Sequence, residues 1–324
     1  MKVLVTGGSG FIGTSLVTGL IERGFKVCNV DVRPPLNPQQ SANWSKGDIM
    51  SLAEIETTLT AYQPDTVIHL AGRTDCDENT TVENDYQLNV QGTKNVLDAI
   101  KKTPAVKRLI MTSSQFVCGP GRLPASDEEY FPHTVYGQSK VETERLTRSA
   151  GLSCDWTIIR PVNIWGPYHE RYSREFWKIA DKGLYLHPGV PIPTRTYGYV
   201  GNVVWQMIKM LEADKAVVNE QVFYVGDNPI TIDKWVMGFC EGFRAKRPIV
   251  IPLWAMTILA RCGDVISKFM GKPFYITSSR LRSMTEDYYA PMDKTFETFG
   301  EAPYTLEEGI RETVKWHRGT RQSK

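Results

Sequence analysis

The chain has 324 residues, enough for about two average domains. Its 38 basic and 36 acidic side chains leave a net charge of +2, without the basic excess that binding to nucleic-acid phosphates requires. Hydrophobic residues make up 41% of the chain, which supports a sizeable core and excludes disorder as the main state.

The spacing of the cysteines and the length of the apolar segments predict where in the cell the protein works and whether it spans a membrane. The six cysteines are widely separated, without a C-x-x-C motif or a histidine pair at zinc-ligand spacing. We therefore expect free thiols in a reducing, cytoplasmic location and no bound metal. The longest apolar stretch, Ile249–Ala260, contains Pro252 and is shorter than the about 20 residues of a membrane-spanning helix. We expect no transmembrane segment, and this stretch is the candidate for any attachment to a membrane surface.

Strand and helix signals alternate in the first half of the chain. Short apolar runs predict strands, and amphipathic segments between them predict helices. The predicted strands are Lys2–Gly7, Phe25–Asp31, Thr66–Gly72, Arg108–Ser114 and Trp156–Pro161. The predicted helices are Phe11–Arg23, Leu52–Tyr62, Asp85–Lys102 and Tyr136–Ala150. This alternation is typical of an α/β fold, a doubly wound parallel sheet of the Rossmann type with helices on both faces.

The pattern changes after Pro161. Glycine, proline and aromatic residues become frequent in Val162–Tyr199, and a helix and a strand within residues 203–227 then return to the first architecture. We predict that residues 1–161, together with 203–227, form the sheet domain. Residues 162–202 and 228–324 are expected to form a smaller mixed C-terminal lobe that binds the substrate.

The first predicted strand leads through a glycine-rich turn into the first helix. The sequence TGGSGFIG places Gly7, Gly10 and Gly13 at the positions of a dinucleotide-binding loop. The first glycine permits the tight turn, the second lets the backbone approach a pyrophosphate, and the third allows close packing of helix on strand. The amide groups at the start of this helix, around Phe11 and Ile12, attract the phosphates.

An acidic residue follows the glycine loop at the distance expected for ribose binding. Asp31 ends the second strand, where a carboxylate accepts hydrogen bonds from the adenosine ribose hydroxyls. It would repel a 2′-phosphate, so NAD is the predicted cofactor and NADP is less favoured, although Arg33 could meet such a phosphate. Asp48 and Ile49 are expected at the adenine edge. Residues 1–161 are therefore the predicted NAD-binding domain.

A tyrosine and a lysine stand four residues apart at the start of a predicted helix. Tyr136 and Lys140 form Y-x-x-x-K, and this spacing places both side chains on one helix face. A nearby ammonium group favours the phenolate, which can take a proton from an alcohol or return one to a ketone. Ser114, at the end of a strand, would orient the reacting carbinol, or else cap a turn. Asn89 would bind a relay water or contact the nicotinamide side, or else serve in packing.

The motifs TGGSGFIG, HLAG, NVQGTKN, TSSQFVCG, YGQSK and RPVNIWGP, in this order, resemble the extended short-chain dehydrogenase/reductase superfamily. Within it, the chain resembles the NAD-dependent epimerase/dehydratase family that acts on nucleotide sugars. The resemblance implies a catalytic trio of Ser114, Tyr136 and Lys140, with Lys140 also holding the nicotinamide ribose. It implies further cofactor contacts from Leu70, Ala71, Gly72, Ser113 and Pro161. It implies substrate contacts from Ser114, Gln115, Asn163, Arg195 and Arg282.

Departures from the family patterns narrow the predicted chemistry. The 4,6-dehydratases that the chain resembles carry an acid directly after the catalytic hydroxyl, whereas Gln115 and Phe116 follow Ser114 here. Dehydration is therefore not expected. We predict hydride transfer at one secondary carbinol, at C4 of a nucleotide-diphosphate sugar, by a 4-epimerase or by a 4-keto reductase or dehydrogenase.

Two alternatives stay open. The apolar stretch Ile249–Ala260 and the segment Gly271–Ser283 resemble a 3β-hydroxysteroid type of dehydrogenase. A non-catalytic NAD-sensing module of the same fold is the other alternative, although such modules usually lack the tyrosine and the lysine. Polar groups in the expected roof of the cleft favour a sugar diphosphate over a sterol: Asn163, Trp165, Tyr168, His169, Arg171, Arg174, Arg195 and Tyr197.

The resemblance also implies a homodimer. In such a dimer the predicted helices Asp85–Lys102 and Tyr136–Ala150 pair across a two-fold axis. Symmetric dimers are the commonest oligomers of soluble proteins.

Overall fold

The computed structural model describes residues 1–76, 79–270 and 274–322. The predicted segment Gly271–Ser283 therefore lies partly outside the described residues. The strands are, in chain order, β1 Lys2–Thr6, β2 Lys26–Asp31, β3 Trp44–Lys46, β4 Thr66–His69, β5 Arg108–Thr112, β6 Asp155–Pro161, β7 Asn163–Trp165, β8 Leu186–His187, β9 Thr194–Arg195, β10 Tyr197–Tyr199, β11 Gln221–Val225, β12 Ile230–Thr231 and β13 Ile249–Val250.

Helices separate most of these strands. They are, in chain order, α1 Phe11–Glu22, α2 Leu52–Tyr62, α3 Val82–Asp85, α4 Gln87–Lys101, α5 Val135–Ser149, α6 Glu170–Tyr172, α7 Lys178–Asp181, α8 Val200–Glu212, α9 Lys215–Val218, α10 Ile232–Gly242, α11 Leu253–Met270, α12 Ser278–Thr285, α13 Asp293–Phe299 and α14 Leu306–Gln322. A π-helical turn, Ser173–Trp177, joins α6 to α7.

A seven-stranded parallel sheet in the order β11-β6-β5-β4-β1-β2-β3 forms the centre of the molecule. The chain runs outward from β1 to β3 and then crosses back to β4 on the other side of β1. In open α/β sheets, ligands bind at such a reversal, outside the carboxyl ends of the strands. The predicted doubly wound sheet is confirmed, and the predicted helix Leu52–Tyr62 coincides with α2.

Two predicted strands end earlier than the apolar pattern suggests, and one predicted helix is divided. Strand β4 ends at His69 and β5 at Thr112, so Leu70–Gly72 and Ser113–Ser114 are loop residues at the sheet edge. The predicted helix Asp85–Lys102 is interrupted at Tyr86, whose backbone leaves the helical region at φ −109° and ψ 20°. The Tyr86 hydroxyl donates to the carbonyl oxygen of Asp75 over 2.6 Å, which holds the residue in this break.

Apolar side chains fill both faces of the sheet. Val3 and Val5 belong to one buried cluster, whereas Leu4 belongs to the other, as alternation along a strand requires. The first cluster continues without interruption into the C-terminal part of the chain, where Trp177 and Phe239 are buried. The predicted substrate lobe thus shares its core with the sheet, and its boundaries stay a prediction.

Within the described ranges, no helix combines the length and the apolar content that crossing a bilayer requires.

A buried ion pair joins α5 to the sheet. Glu144 and Arg160 are both fully buried, and two hydrogen bonds of 2.9 Å link the guanidinium to the two carboxylate oxygens. Glu144 also accepts hydrogen bonds from the hydroxyls of Ser113 (2.5 Å) and Tyr130 (3.1 Å). A buried carboxylate needs such partners because it has lost its hydration. The network therefore fixes α5 against β5 and β6.

Replacing Arg160 with methionine should lower the free energy of unfolding by about 3–5 kcal/mol, because the Glu144 carboxylate would stay buried without its countercharge. Urea unfolding monitored by circular dichroism measures the change. The control is Arg23→Met, which removes an exposed pair with Glu212 and should cost less than about 1 kcal/mol. Equal losses in the two variants would contradict a structural role of the buried pair.

Candidate active site

The glycine loop makes close contacts that only glycine permits. Gly7 has φ +74°, and a Cβ atom there would lie 2.5 Å from the amide nitrogen of Ala71. A Cβ atom on Gly13 would lie 2.3 Å from the carbonyl oxygen of Gly7. The loop therefore folds tightly against the end of β4 and against the start of α1, as predicted from its spacing.

Gly10 leaves space in front of helix α1. It is the N-cap of the helix and contributes no side-chain cap. A Cβ atom on Gly10 would meet only the Gly7 carbonyl oxygen, at 3.3 Å. The first amide groups of a helix lack partners within the helix and carry a partial positive charge. This uncapped end, which includes Phe11 and Ile12, can hold a pyrophosphate.

Asp31 lies beside the glycine loop with its side chain held in place. Its two carboxylate oxygens accept hydrogen bonds from the backbone amides of Ser9 (3.2 Å) and Arg33 (3.0 Å). Carboxylate oxygens have about four acceptor positions in total, so capacity remains for ribose hydroxyls. The Arg33 side chain is exposed. Asp31 is thus oriented before any ligand arrives.

Other predicted cofactor residues surround the same edge of the sheet. Leu70–Gly72 directly follow β4, and Pro161 ends β6. Ile49 is buried behind α4, where a Cβ atom on Gly92 would lie 2.5 Å from its Cδ1. Asp48 caps the neighbouring turn by accepting a hydrogen bond from Met50 over 2.9 Å.

Asn89 ties the loop after β4 to the helix that carries Tyr136. Its amide group bonds the backbone of Arg73 through both oxygen (2.7 Å) and nitrogen (3.0 Å), and its nitrogen also donates to Ser139 Oγ over 2.8 Å. These contacts favour the packing role that the sequence left open. Asn89 thereby positions Gly72, whose added Cβ atom would lie 2.8 Å from Asn89 Oδ1.

The structure brings Ser114 and Tyr136 together at the carboxyl end of β5. The Ser114 hydroxyl lies close enough to the Tyr136 phenol to lower its pKa, and both residues are buried. Ser114 Oγ also accepts a hydrogen bond of 3.2 Å from the Phe116 amide, so it serves as a turn cap as well. Lys140 lies one helical turn after Tyr136, and its ammonium donates to the carbonyl oxygen of Thr112 over 2.9 Å. The predicted trio therefore shares one site.

Burial sets the protonation of these groups. It raises the pKa of the Tyr136 phenol, and the neighbouring Ser114 hydroxyl lowers this pKa by a smaller amount. Burial lowers the pKa of Lys140 to about 8, against the attraction of Glu144. At neutral pH the resting site thus holds a protonated phenol and a charged ammonium. A further positive charge close to the phenol would favour its ionisation.

Ser113 differs from its predicted role. Its hydroxyl donates to Glu144 Oε1, so the side chain belongs to the buried ion-pair network and faces away from the ligand space. The cause is the extended backbone that continues past β5, with φ −164° and ψ 154° at Ser114, because consecutive side chains of an extended chain point in opposite directions.

A cavity of about 550 Å³ adjoins the trio, within the size range of small-molecule sites. Gln115 and Phe116, directly after Ser114, line it, and the Phe116 ring lies 5.7 Å from the Tyr136 ring. Gln115 Oε1 is buried without a hydrogen-bond partner in the described part of the chain. Such an oxygen can accept a hydrogen bond from a ligand hydroxyl.

The predicted substrate residues line this cavity. Asn163 accepts a hydrogen bond of 3.0 Å from the Tyr172 hydroxyl. Arg195 is buried, and its guanidinium donates to the carbonyl oxygens of Ser283 (2.9 Å) and Glu286 (3.2 Å). Arg282 is an exposed lining residue. Arginines suit phosphate oxygens because the planar guanidinium donates two parallel hydrogen bonds.

Three residues of the predicted roof do not line the cavity. Trp165 is fully buried and packs on Phe239 at 5.2 Å. Tyr168 packs on Trp316 at 5.5 Å, and Arg174 is exposed. The sequence prediction was wrong for these three because it treated the whole segment as one surface. The segment in fact turns through a short helix, so its side chains point in different directions.

Sequence reasoning missed residues that come from distant parts of the chain. Tyr288 donates a hydrogen bond to the carbonyl oxygen of Cys118 over 2.8 Å, which holds the loop after Ser114 in place. His133 stacks on the Phe116 ring at 5.4 Å. Glu175 forms an ion pair with Arg280 at the cavity wall.

The site fits a dinucleotide. The glycine cradle, the uncapped start of α1 and the Asp31 carboxylate are arranged as pyrophosphate and ribose binding require. Among the described residues, no group of three or more histidine, cysteine, aspartate or glutamate side chains is placed to hold a metal ion.

The model of one protein family, the NAD dependent epimerase/dehydratase family, matches residues 3–226. The chain belongs to this family. Its members are NAD-dependent enzymes, so family membership and the glycine loop agree on NAD as the cofactor. The match includes the sheet, the glycine loop and the Ser114–Tyr136–Lys140 trio, and it ends before α10.

Individual relatives match most or nearly all of the chain. An N-acetyl-alpha-D-glucosaminyl-diphospho-ditrans,octacis-undecaprenol 4-epimerase of Escherichia coli O157:H7 is 29% identical over 97% of this chain and 95% of its own length. A 3-beta-hydroxysteroid dehydrogenase of Mycolicibacterium neoaurum is 29% identical over 77% of this chain and 69% of its own. The crystal structure of a UDP-glucose 4-epimerase with UDP-glucose from Thermotoga maritima shares the fold, with a TM-score of 0.77 and 23% identity over 99% of this chain and 100% of that one.

Replacing Asp31 with alanine should weaken NAD binding by about 10- to 150-fold, because a hydrogen bond to a charged group contributes about 1.5–3 kcal/mol. Titration calorimetry with NAD and NADP measures the change, and the wild type should prefer NAD. The control, Asp98→Ala on α4, removes an exposed carboxylate that pairs with Lys101 and should leave binding unchanged. Wild-type affinity in Asp31→Ala would remove this residue from the ribose site.

Proposed function

We propose that the protein is a 4-epimerase of a nucleoside-diphosphate sugar. The observation that carries this proposal is the buried, neighbouring pair of Ser114 and Tyr136 next to a cavity lined by arginines. Ser114 and Tyr136 can bind the hydroxyl of a secondary alcohol and accept its proton, and the arginines can bind the oxygens of a diphosphate.

The trio supplies the proton chemistry at the sugar C4. NAD, when bound, would supply the acceptor for the hydride of the carbinol carbon and its source for the return step. Ser114 orients the C4 hydroxyl, and the Tyr136 phenolate takes its proton while the hydride leaves. Lys140 holds the nicotinamide ribose, and its positive charge favours the phenolate. Tyr136 returns the proton once the sugar presents the other face of its ketone.

Epimerisation requires the sugar to turn while its diphosphate stays bound. Arg195 is fixed by two backbone carbonyl groups and by the Tyr288 ring at 5.5 Å, so it can serve as a rigid anchor. The unpartnered oxygen of Gln115 is an acceptor for sugar hydroxyls. A 4-keto reductase or dehydrogenase would use the same groups and would differ in exchanging its cofactor at every turnover.

A 3β-hydroxysteroid dehydrogenase is the second candidate, favoured by the mycobacterial relative and by the apolar surface of α11. The charged and polar lining of the cavity disfavours it, since a sterol would leave these groups without partners. A non-catalytic NAD-sensing module is disfavoured because Tyr136 and Lys140, which such modules usually lack, are both present and both buried.

We also propose a homodimer in a reducing, cytoplasmic compartment. Helices α4 and α5 pack side by side on one face of the sheet, and they are the two helices that the family resemblance assigns to the dimer interface. Among the described residues no disulfide joins any of the cysteines, and Cys262 is exposed, which suits a reducing environment.

Replacing Tyr136 with phenylalanine should lower the rate of UDP-glucose and UDP-N-acetylglucosamine 4-epimerisation by about 10²–10⁴-fold, because positioned proton transfer contributes that much. A coupled assay of the C4 epimers measures the rate, and calorimetry should show nearly unchanged NAD binding.

The matched control is Tyr130→Phe, which removes a phenolic hydroxyl bonded to Glu144 outside the proposed substrate site. It should keep more than a tenth of wild-type turnover. Wild-type turnover in Tyr136→Phe would remove the trio from the mechanism. Oxidation of a 3β-hydroxysteroid without turnover of any nucleotide sugar would replace the proposal with the second candidate.

A further inference from the structure

Helix α11 exposes an apolar face to solvent. Trp254, Ile258, Val265 and Phe269 are spaced four, seven and four residues apart, so they lie on one side of the helix. Their exposed fractions are 70%, 55%, 54% and 88%. We call these four residues the outer face. A contiguous exposed apolar surface of this kind marks an interaction site.

The opposite side of the same helix belongs to the protein core. Met256, Ala260 and Gly263 are buried, and a Cβ atom on Gly263 would lie 1.8 Å from the carbonyl oxygen of Ile276. Met256 also lines the substrate cavity. Helix α11 is therefore held in place and forms a wall between the cavity and the outer face.

The apolar surface continues beyond the helix. Val250, in β13, is 67% exposed, and Val190 is 69% exposed. The two lie close together, since a Cβ atom on Gly189 would be 3.0 Å from Val250 Cγ1. Val250 lies three residues before Leu253, the first residue of α11. The two valines therefore add exposed apolar surface near the N-terminal end of the helix.

Positive charge accompanies this surface. Residues 244–270 carry five basic side chains and one acidic side chain, and the acid, Asp264, accepts two hydrogen bonds from Ser278. Arg261 and Lys268 flank the outer face on α11 itself, and both are exposed. An amphipathic helix with aromatic residues on its apolar side and basic residues beside them suits the interface of an anionic bilayer.

We propose that the outer face of α11 docks this protein onto an anionic phospholipid bilayer. The helix lies in the plane of the interface with Trp254 and Phe269 among the acyl chains, and the basic residues contact the headgroups. Docking of this kind buries the apolar surface without a spanning helix. It goes beyond the proposed function and does not depend on it, because turnover of a dissolved nucleotide sugar needs no membrane.

Flotation with lipid vesicles tests the proposal on the full-length protein. Wild type should float with vesicles of equal parts phosphatidylglycerol and phosphatidylcholine, and at least tenfold less with pure phosphatidylcholine. The double variant Trp254→Ser, Phe269→Ser should lose at least tenfold of the bound fraction. The control Leu123→Ser, Val217→Ser removes two other exposed apolar side chains, 51% and 43% exposed, and should float like the wild type.

Two further measurements separate docking from other causes. Trp254→Phe should still float, but it should lose the fluorescence quenching by brominated phosphatidylglycerol that wild type shows. Thermal melting and epimerase turnover without vesicles should be equal in wild type and the double variant, which shows that the fold is intact.

Three results would overturn the proposal. Wild type could stay at the bottom of the gradient with anionic vesicles, or the double variant could float as wild type does. The third result would be a smaller assembly mass of the double variant than of the wild type, measured by light scattering. The partner of the outer face would then be a second copy of the chain.

Discussion

The buried carboxylate of Glu144 determines how helix α5, which carries Tyr136 and Lys140, meets the sheet. A charged group without water is costly, so its position is fixed by the groups that neutralise it: the Arg160 guanidinium from β6 and the hydroxyls of Ser113 and Tyr130. Glu144 lies one turn after Lys140 on α5. The same contacts therefore set the distance of Lys140 from the end of β5 and place Tyr136 beside Ser114.

Burial in this arrangement also sets the protonation states of Tyr136 and Lys140. Desolvation holds the Tyr136 phenol in its protonated form and brings the pKa of Lys140 down to about 8. A phenol in that state reacts when a positive charge arrives, so the chemistry waits for the bound cofactor. His69, behind the trio, stays neutral because burial and the charge of Lys140 lower its pKa to about 3. The exchangeable protons of the site are thus carried by Tyr136 and Lys140.

The sequence was informative wherever the chemistry is local. Strand and helix order, the glycine loop, Asp31 and the Tyr136–Lys140 spacing depend on residues close together along the chain, and the structure places them as predicted. Glu144 and Arg160 could not be found this way, because a charged residue within a strand pattern gives no sign of its partner on another element. Trp165 was misplaced for the same reason: its aromatic neighbours, such as Phe239, come from helices distant in sequence.

The central claim is that a hydride leaves C4 of the sugar and returns to the same carbon without exchange with water. A nucleotide sugar labelled with deuterium at C4 tests this most directly, with the product analysed by mass spectrometry and by NMR. The account predicts that the C4 epimer keeps its deuterium in full. Loss of the label to water, or its permanent transfer to released cofactor, would contradict the account.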